Sequence, residues 1–357
     1  MKEDYLYWIW LNELKGIGPI TSKKLLNRFI SPKRIYNALG SEIREVEGIG
    51  DKLTESIIKS KDLDSCKKIL ENCEKQNIGV VTYKEKQFPS NISKCSNTPI
   101  LLYFKGDLLE NISGVAIVGS RRCSDYGKQV TIEAARFLAE NNIPVISGMA
   151  KGIDSYAHTA CIKSDGYTIA FLGCGVDICY PKEHINLMES IIENGAIISE
   201  YPPGITASPQ NFPNRNRLIS ACAQKLLVVE AGENSGALIT AKYAKEQNKE
   251  IYAVPNNIYI KEGKGTNALI SEGAKIYLDP NQLIINSSIK FITEDKNIYI
   301  NDEEKSILNI IKSKSATADE ICILLKRNKA SILDALFLME LDGKIKCVGG
   351  KYSKYIY

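Results

Sequence analysis

At 357 residues, 44% of them hydrophobic, the chain exceeds one ordinary domain and can bury a sizeable core, which predicts two or three domains. Its net charge of +4 divides as +3 over residues 1–112, −1 over 113–280 and +2 over 281–357, so nucleic-acid binding by the central part needs a local basic cluster rather than a globally positive field. Ten dispersed cysteines without a CxxC, only two histidines (His158 and His184), a polar start Met1-Lys2-Glu3-Asp4 and no apolar run of membrane length argue for a reduced cytoplasmic protein. They argue against a disulfide framework, a metal, a secretory leader and a bilayer span.

Two similar pieces open the chain, 32 residues apart: Leu14-Lys15-Gly16-Ile17-Gly18-Pro19 and Val46-Glu47-Gly48-Ile49-Gly50-Asp51, each followed by a helical pattern. An apolar-x-Gly-apolar-Gly turn between short helices is the sequence form of a helix-hairpin-helix, whose glycines leave N–H groups free for a DNA phosphate. The alternative, a turn that only packs two helices, stays open. Short apolar runs punctuated by prolines, such as 79–83 and 100–104, then lead into the central region.

From Val115 the pattern alternates. Strands are expected at 115–118, 144–147, 168–172, 196–199, 225–229 and 250–254, with helices at 126–141 and near 152–164, 182–194, 236–248 and 266–272. Such alternation predicts a doubly wound, mostly parallel α/β sheet covered on both faces. After Pro280 a polar stretch rich in Asn, Ile and Ser reads as a linker over 281–301. Helical patterns at 302–312, 317–326 and 330–341 follow, then two strands joined by Gly349-Gly350. Three helices and a hairpin in so short a segment predict a winged helix over 302–357, with Asn328-Lys329 opening the third helix. The divisions expected are therefore 1–75, 76–280, 281–301 and 302–357.

No GxGxxG and no GxxxxGK[ST] occurs, so a nucleotide cofactor has little support. Instead, loops of one type follow the strands: Gly119-Ser120-Arg121-Arg122; Ser147-Gly148-Met149-Ala150-Lys151-Gly152; Gly173-Cys174-Gly175 with Tyr180-Pro181-Lys182; a long loop from Glu200 to Arg217; and Ala231 to Gly236. In a doubly wound sheet all of them project from one edge, where Arg121, Lys151, Lys182, Arg215 and Arg217 can converge on phosphate. Gly148 and Gly236 allow close backbone approach, and Tyr180 and Phe212 offer stacking faces tolerant of any base. Blander readings stand beside these. Arg215 and Arg217 could pair with Glu200 or Glu230, Asp154 could cap a helix, His158 could orient or pack, and the two rings could fill a gap between loop and sheet.

Gly119-Ser120-Arg121, Ser147 to Asp154 with His158, Tyr180-Pro181-Lys182-Glu183-His184, Ser199-Glu200-Tyr201-Pro202-Pro203-Gly204, Asn211-Phe212-Pro213-Asn214-Arg215-Asn216-Arg217 and Ser235 to Ala241 occur in that order. Over roughly 113–280 they closely resemble the DNA-processing protein A (DprA, also called Smf) family. The resemblance implies an extended Rossmann-like core flanked by a SAM-like or helix-hairpin-helix domain and a winged helix. It implies single-stranded DNA bound in a basic pocket, a homodimer, and loading of the RecA recombinase onto incoming DNA in natural transformation, with no enzymatic activity. By motif position Arg121 and Lys182 correspond to phosphate-contacting side chains, and Lys151, Arg215 and Arg217 follow more loosely; Asn216 counts among the candidate DNA-binding residues. Two rival classes remain. Related Rossmann proteins hydrolyse nucleoside monophosphates, but their catalytic Glu at the helix start has no counterpart after Gly236. A transcription regulator would read DNA with the terminal helix 331–341, which carries Asp334 and Glu340.

Overall fold

Nine strands form one sheet: β1 (Gly79–Thr82), β2 (Leu101–Gly106), β3 (Gly114–Val118), β4 (Val145–Ser147), β5 (Thr168–Phe171), β6 (Gly195–Ser199), β7 (Ala223–Val228), β8 (Glu250–Ala253) and β9 (Lys275–Ile276). The computed structural model describes residues 2–95, 97–285, 302–311, 315–341 and 345–354. The chain divides into two units, Met1–Phe291 and Ile292–Tyr357. The large sheet belongs to the first, in the order β1-β2-β6-β5-β4-β3-β7-β8-β9. Strands β3 to β9 run parallel, whereas β1 and β2 add an antiparallel margin against β6.

Strands β3 to β6 are buried along their whole length, which is why they read as apolar runs rather than as alternation. Their side chains still divide by parity. Val115, Ile117, Val145 and Leu227 pack under the helices Asp125–Glu140 and Ile153–Lys163 through Leu138, Ala135 and Ala157. Ala116, Val118, Ile146, Phe171 and Leu226 pack under Asn211–Cys222 and Gly236–Glu246 through Leu218, Ala221 and Ala241. The sheet is therefore covered on both faces, with Ile185–Glu193 and Lys264–Ser271 completing the set of core helices.

One expected loop, Glu200 to Arg217, ends in a helix. Residues 211–222 are helical and run straight into β7. The polar start Asn-Phe-Pro-Asn-Arg-Asn-Arg masks the helical signal, yet Pro213 falls in the first turn, where its missing N–H leaves no bond unmade. The buried tail Leu218-Ile219-Ser220-Ala221-Cys222 anchors the helix on the sheet.

In the N-terminal region both glycine turns form. Gly16 and Gly48 take φ of +81° and +87°, while Gly18 and Gly50 are extended and immediately precede the helices Pro19–Phe29 and Asp51–Lys59. Leu14, Ile17, Val46 and Ile49 are buried, and Ser56 Oγ donates to the Lys15 carbonyl at 3.3 Å, so the hairpins pack on each other. Their apolar residues share one cluster with Leu101, Tyr103 and Ile197 of the sheet. The turn Pro280–Leu283 extends the core beyond Pro280, since Leu283 and Ile285 are buried against Leu138 and Tyr252. The rest of the expected linker, 286–301, lies outside the described residues.

The second unit holds the helices Asp302–Ile311, Ala318–Leu325 and Lys329–Leu341 and an antiparallel sheet of β10 (Ala316–Thr317), β11 (Ile345–Val348) and β12 (Lys351–Lys354), ordered β10-β12-β11. A capping box between Thr317 and Glu320 starts the middle helix, and Ile307, Ile321, Ile332, Leu336 and Ile345 fill the core. Strand β10 adds to the expected hairpin. No helix among the described residues is long and apolar enough to cross a membrane.

Gly195, paired with Thr168 across β6 and β5, has no room for a methyl group, which would strike the Thr168 carbonyl oxygen. The substitution G195A should cost about 2–4 kcal/mol through displacement of the central strands. Chemical denaturation of the variant against the parent reads this loss directly.

Candidate nucleic-acid interface

From β3 the chain winds through β4 and β5 to β6 on one side, then crosses to β7 and winds outward through β8 to β9 on the other. Helices diverge where the winding direction reverses, and a crevice opens at the carboxyl ends of the two strands flanking that reversal. Here those strands are β3 and β7. The crevice is a cleft of about 690 Å³ lined by Gly119, Ser120, Arg121 and Arg122 after β3, Ala150 and Asp154 after β4, Gly232 to Ala237 in part after β7, and Lys261 after β8. Phe212, Arg215 and Asn216 of the helix Asn211–Cys222 close one side. Arg121, Arg122 and Lys261 are exposed, and none of the three forms an ion pair among the described residues.

Next to the cleft lies a smaller hollow bounded by Arg121, Gly148, Lys151, Gly173, Tyr180, Phe212 and Arg215. The Tyr180 and Phe212 rings stand 5.3 Å apart with planes tilted by 36°. The Arg121 guanidinium carbon lies 5.7 Å from the centre of the Phe212 ring. Tyr180 is 44% exposed. An exposed cation and two aromatic faces thus meet in one place, the combination that binds a phosphate together with its base.

The floor beneath them is buried and polar. The Asp154 carboxylate accepts from the amides of Gly148 and Ala150 at 3.1 and 3.4 Å. Arg215 donates through Nη1 to the carbonyls of Gly148 and Phe171. The 148–152 loop is therefore gripped through its N–H groups from one side and its carbonyl from the other. Gly148 must lack a side chain because Arg215 occupies that space, and Gly152, at φ +77°, lets the loop pass within reach of Ser120 and Arg121. Burial raises the Asp154 carboxyl, and Arg215 together with the two amides pulls it back. His158 is fully buried below. Thr168 Oγ1 donates to the Val145 carbonyl at 2.9 Å and accepts from His158 Nδ1 at 2.7 Å, which fixes the proton on Nδ1 and leaves Nε2 without a partner among the described residues. It orients and packs.

The candidate residues sort by position. Gly119, Ser120, Arg121, Gly148, Lys151, Tyr180, Phe212, Arg215, Asn216 and Gly236 come together around the cleft and the hollow. Asn216 Nδ2 donates to the Gly236 carbonyl at 3.2 Å, linking helix to loop. Lys151 is paired with Glu183. Ser147 points back into the sheet, its hydroxyl donating to the Ile117 carbonyl at 2.7 Å. Lys182 is exposed in the short turn Lys182–His184 and lines neither cavity. Arg217 faces the other side of its helix, buried against Glu200 and the Asn97 carbonyl, as the ion-pair reading has it. Helical phase separates Arg217 from Arg215, a distinction invisible while 211–217 reads as loop. Arg122, Asn234 and Ser235, which also line the cleft, lie in loops that the sequence marked, whereas Lys261 was not singled out from it. The signal for Lys261 was its place after the sixth parallel strand, at the same sheet edge as the other loops.

Fold and site together define an α/β protein with a basic crevice at the topological switch point of a doubly wound sheet. The family model for DNA recombination-mediator protein A matches residues 79–288, and the chain belongs to that family. It is 37% identical over 283 residues to Protein Smf of Synechocystis, covering 78% of this chain and 71% of that protein. The X-ray structure of DNA processing protein A (DprA) from Streptococcus pneumoniae superposes with a TM-score of 0.68 at 30% identity, over 77% of this chain and 95% of that one. DNA processing protein A from Helicobacter pylori, whose structure addresses its single-stranded DNA binding mode, gives a TM-score of 0.52 at 30% identity, over 57% and 93% respectively.

Burial, with His184 and Arg215 nearby, holds the His158 imidazole neutral down to about 3, against about 6.5 in an unfolded chain. As the pH falls below 6.5 the unfolded state takes up a proton that the folded state refuses. Stability is therefore present above that pH and is lost towards 3, by up to about 1.4 kcal/mol per pH unit. Urea denaturation from pH 7 to 4 should show a shallower decline in H158Q than in the parent.

Proposed function

We propose that this protein binds single-stranded DNA in the switch-point crevice, protects it, and loads the RecA recombinase onto it in natural transformation or homologous recombination, without catalysing a reaction. Family membership supports a DNA-processing role. The observation that carries the binding reading is the exposed Arg121 guanidinium beside the Phe212 ring, with Tyr180 next to it and Arg122 and Lys261 lining the adjoining cleft. These cations meet phosphates while the rings accept any base, so the expected ligand is a single strand of unrestricted sequence. Lys182, in the turn that follows Tyr180 and Pro181, and Lys151 would add phosphate contacts. The nucleotide-hydrolysing alternative is not favoured, because the helix after Gly236 begins Ala237-Leu238-Ile239 and offers no carboxylate to the cleft.

The flanking parts fit the same reading. The paired glycine hairpins have the form of a helix-hairpin-helix, and the three helices with β10, β11 and β12 have that of a winged helix. A two-fold homodimer would use the region 236–278, where Ile239 and Ile276 are exposed apolar residues, with the recombinase surface overlapping or adjacent.

Gel-shift competition should show preference for single-stranded over duplex DNA. Equal or better binding to duplex would overturn the crevice model. R121A and K182A should each lose roughly one to two decades of affinity, the worth of a charge-assisted hydrogen bond, with melting temperatures unchanged because both side chains are exposed. Loss of binding only in variants that also melt early would point to a structural role instead. Light scattering at micromolar concentration should report a dimer, and a purely monomeric profile would contradict the proposed interface.

A further inference from the structure

We infer that Glu230, a fully buried carboxylate at the end of β7, is the positioning residue that holds the Arg121 loop in its DNA-binding shape; the inference rests on the single-strand reading above. The loop leaves β3 at Val118 and ends at Ser124, the N-cap of the helix Asp125–Glu140. Glu230 takes hold of that end twice. The Ser124 amide donates to Oε2 at 2.9 Å and the Ser124 hydroxyl donates to Oε1. The same hydroxyl accepts from the Gly127 amide at 3.1 Å, so carboxylate, cap and helix start form one chain of hydrogen bonds. Gly127 is shaped to this arrangement, because a methyl group there would sit 2.6 Å from Glu230 Oε2. The Glu230 carboxylate thus faces the amino end of a sixteen-residue helix, where the positive end of the helix dipole lies.

The rest of the loop is fixed by backbone contacts. Val229 N donates to the Val118 carbonyl at 3.0 Å and Ile153 N to the Ser120 carbonyl at 3.2 Å. The Ser120 hydroxyl accepts from the Arg122 amide at 3.1 Å. Between Ser120 and Asp125, Glu230 is, among the described residues, the one charged side chain that secures the chain from across the sheet. Without it, the Ser124 amide and hydroxyl lose their acceptor and the 121–124 segment its anchor. The guanidinium of Arg121 would then sample many positions rather than one beside Phe212, and a phosphate contact depends on that placement. Cys123, half-buried in the loop, reports on the anchor, because burial and the Glu230 charge push its thiol up to about 11.

E230Q keeps the volume and removes the charge and one of the two acceptors. In full-length protein its affinity for an oligothymidylate should fall about tenfold. The slope of log affinity against log salt should become shallower by about 0.7, the share of one phosphate, as it should in R121A. In R121A/E230Q the two losses should not add, because both remove the same contact. Independently of DNA, alkylation at Cys123, followed peptide by peptide, should quicken in E230Q. If E230Q fails to fold, S124A replaces it: removing one of the two donors should give a smaller loss with the same shallower slope. Additive losses in the double variant, an unchanged salt slope, unchanged Cys123 reactivity, or tighter binding from the removed negative charge would each overturn the inference. Failure of the parent protein to bind the oligonucleotide, with Cys123 still released in E230Q, would instead overturn the single-strand reading and leave the anchor intact.

Discussion

The structure turns on the reversal of winding between β3 and β7. Parallel strands demand crossover helices, and the right-handed crossover places those before the reversal on one face and those after it on the other. Two adjacent strands thus send their chains apart, and no helix covers the space between them. Everything that distinguishes the crevice follows from this: Arg121 and Arg122 leave from β3, Ser235 and Gly236 from β7, and Lys261 from beyond β8, so residues 140 positions apart in sequence face one cavity.

Charge is divided between two jobs. Buried ions build the walls: Asp154 and Arg215 hold the 148–152 loop, Glu230 holds Ser124, and Arg217 with Glu200 joins helix to strand end. Each is desolvated and therefore survives only with its hydrogen bonds complete, so removal of one partner is far more disruptive than its net contribution suggests. Exposed ions are left for a ligand. This division helps to reconcile a central region of charge −1 with a basic crevice, because the buried Asp154, Glu200 and Glu230 are engaged by amides, hydroxyls and guanidinium groups, which leaves Glu262 as the acidic group of the cleft facing Arg121, Arg122 and Lys261.

The same economy governs the N-terminal hairpins. Their glycines provide the tight turns, and the apolar residues between them are spent on packing against each other and against the margin of the large sheet. Exposed large apolar side chains such as Ile20, Ile30 and Leu39 remain on this region, but its fold needs no ligand to explain the glycine pattern.

Alternating apolar runs and helical patterns determined the doubly wound sheet, and with it the edge at which the strand-end loops had to meet. The physical reason is local: a strand buried on both faces must be apolar throughout, and a crossover helix must carry a stripe. The sequence also marked Arg121, Tyr180, Phe212 and Gly236, because Gly, Arg and aromatic residues after a strand carry their meaning in their neighbours. Only the tertiary structure decided which arginines were free. Arg215 and Arg217 look alike in a run of Asn and Arg, yet one lies under the Gly148 loop and the other pairs with Glu200 behind the helix, a matter of 3.6-residue phase in a segment whose helicity its polar start conceals. It alone decided the strand order, and so the switch point itself, since the pairing of β3 with β7 joins segments more than a hundred residues apart. It likewise revealed Glu230, whose role depends on a carboxylate facing a helix start across the sheet, a relation that no local pattern records.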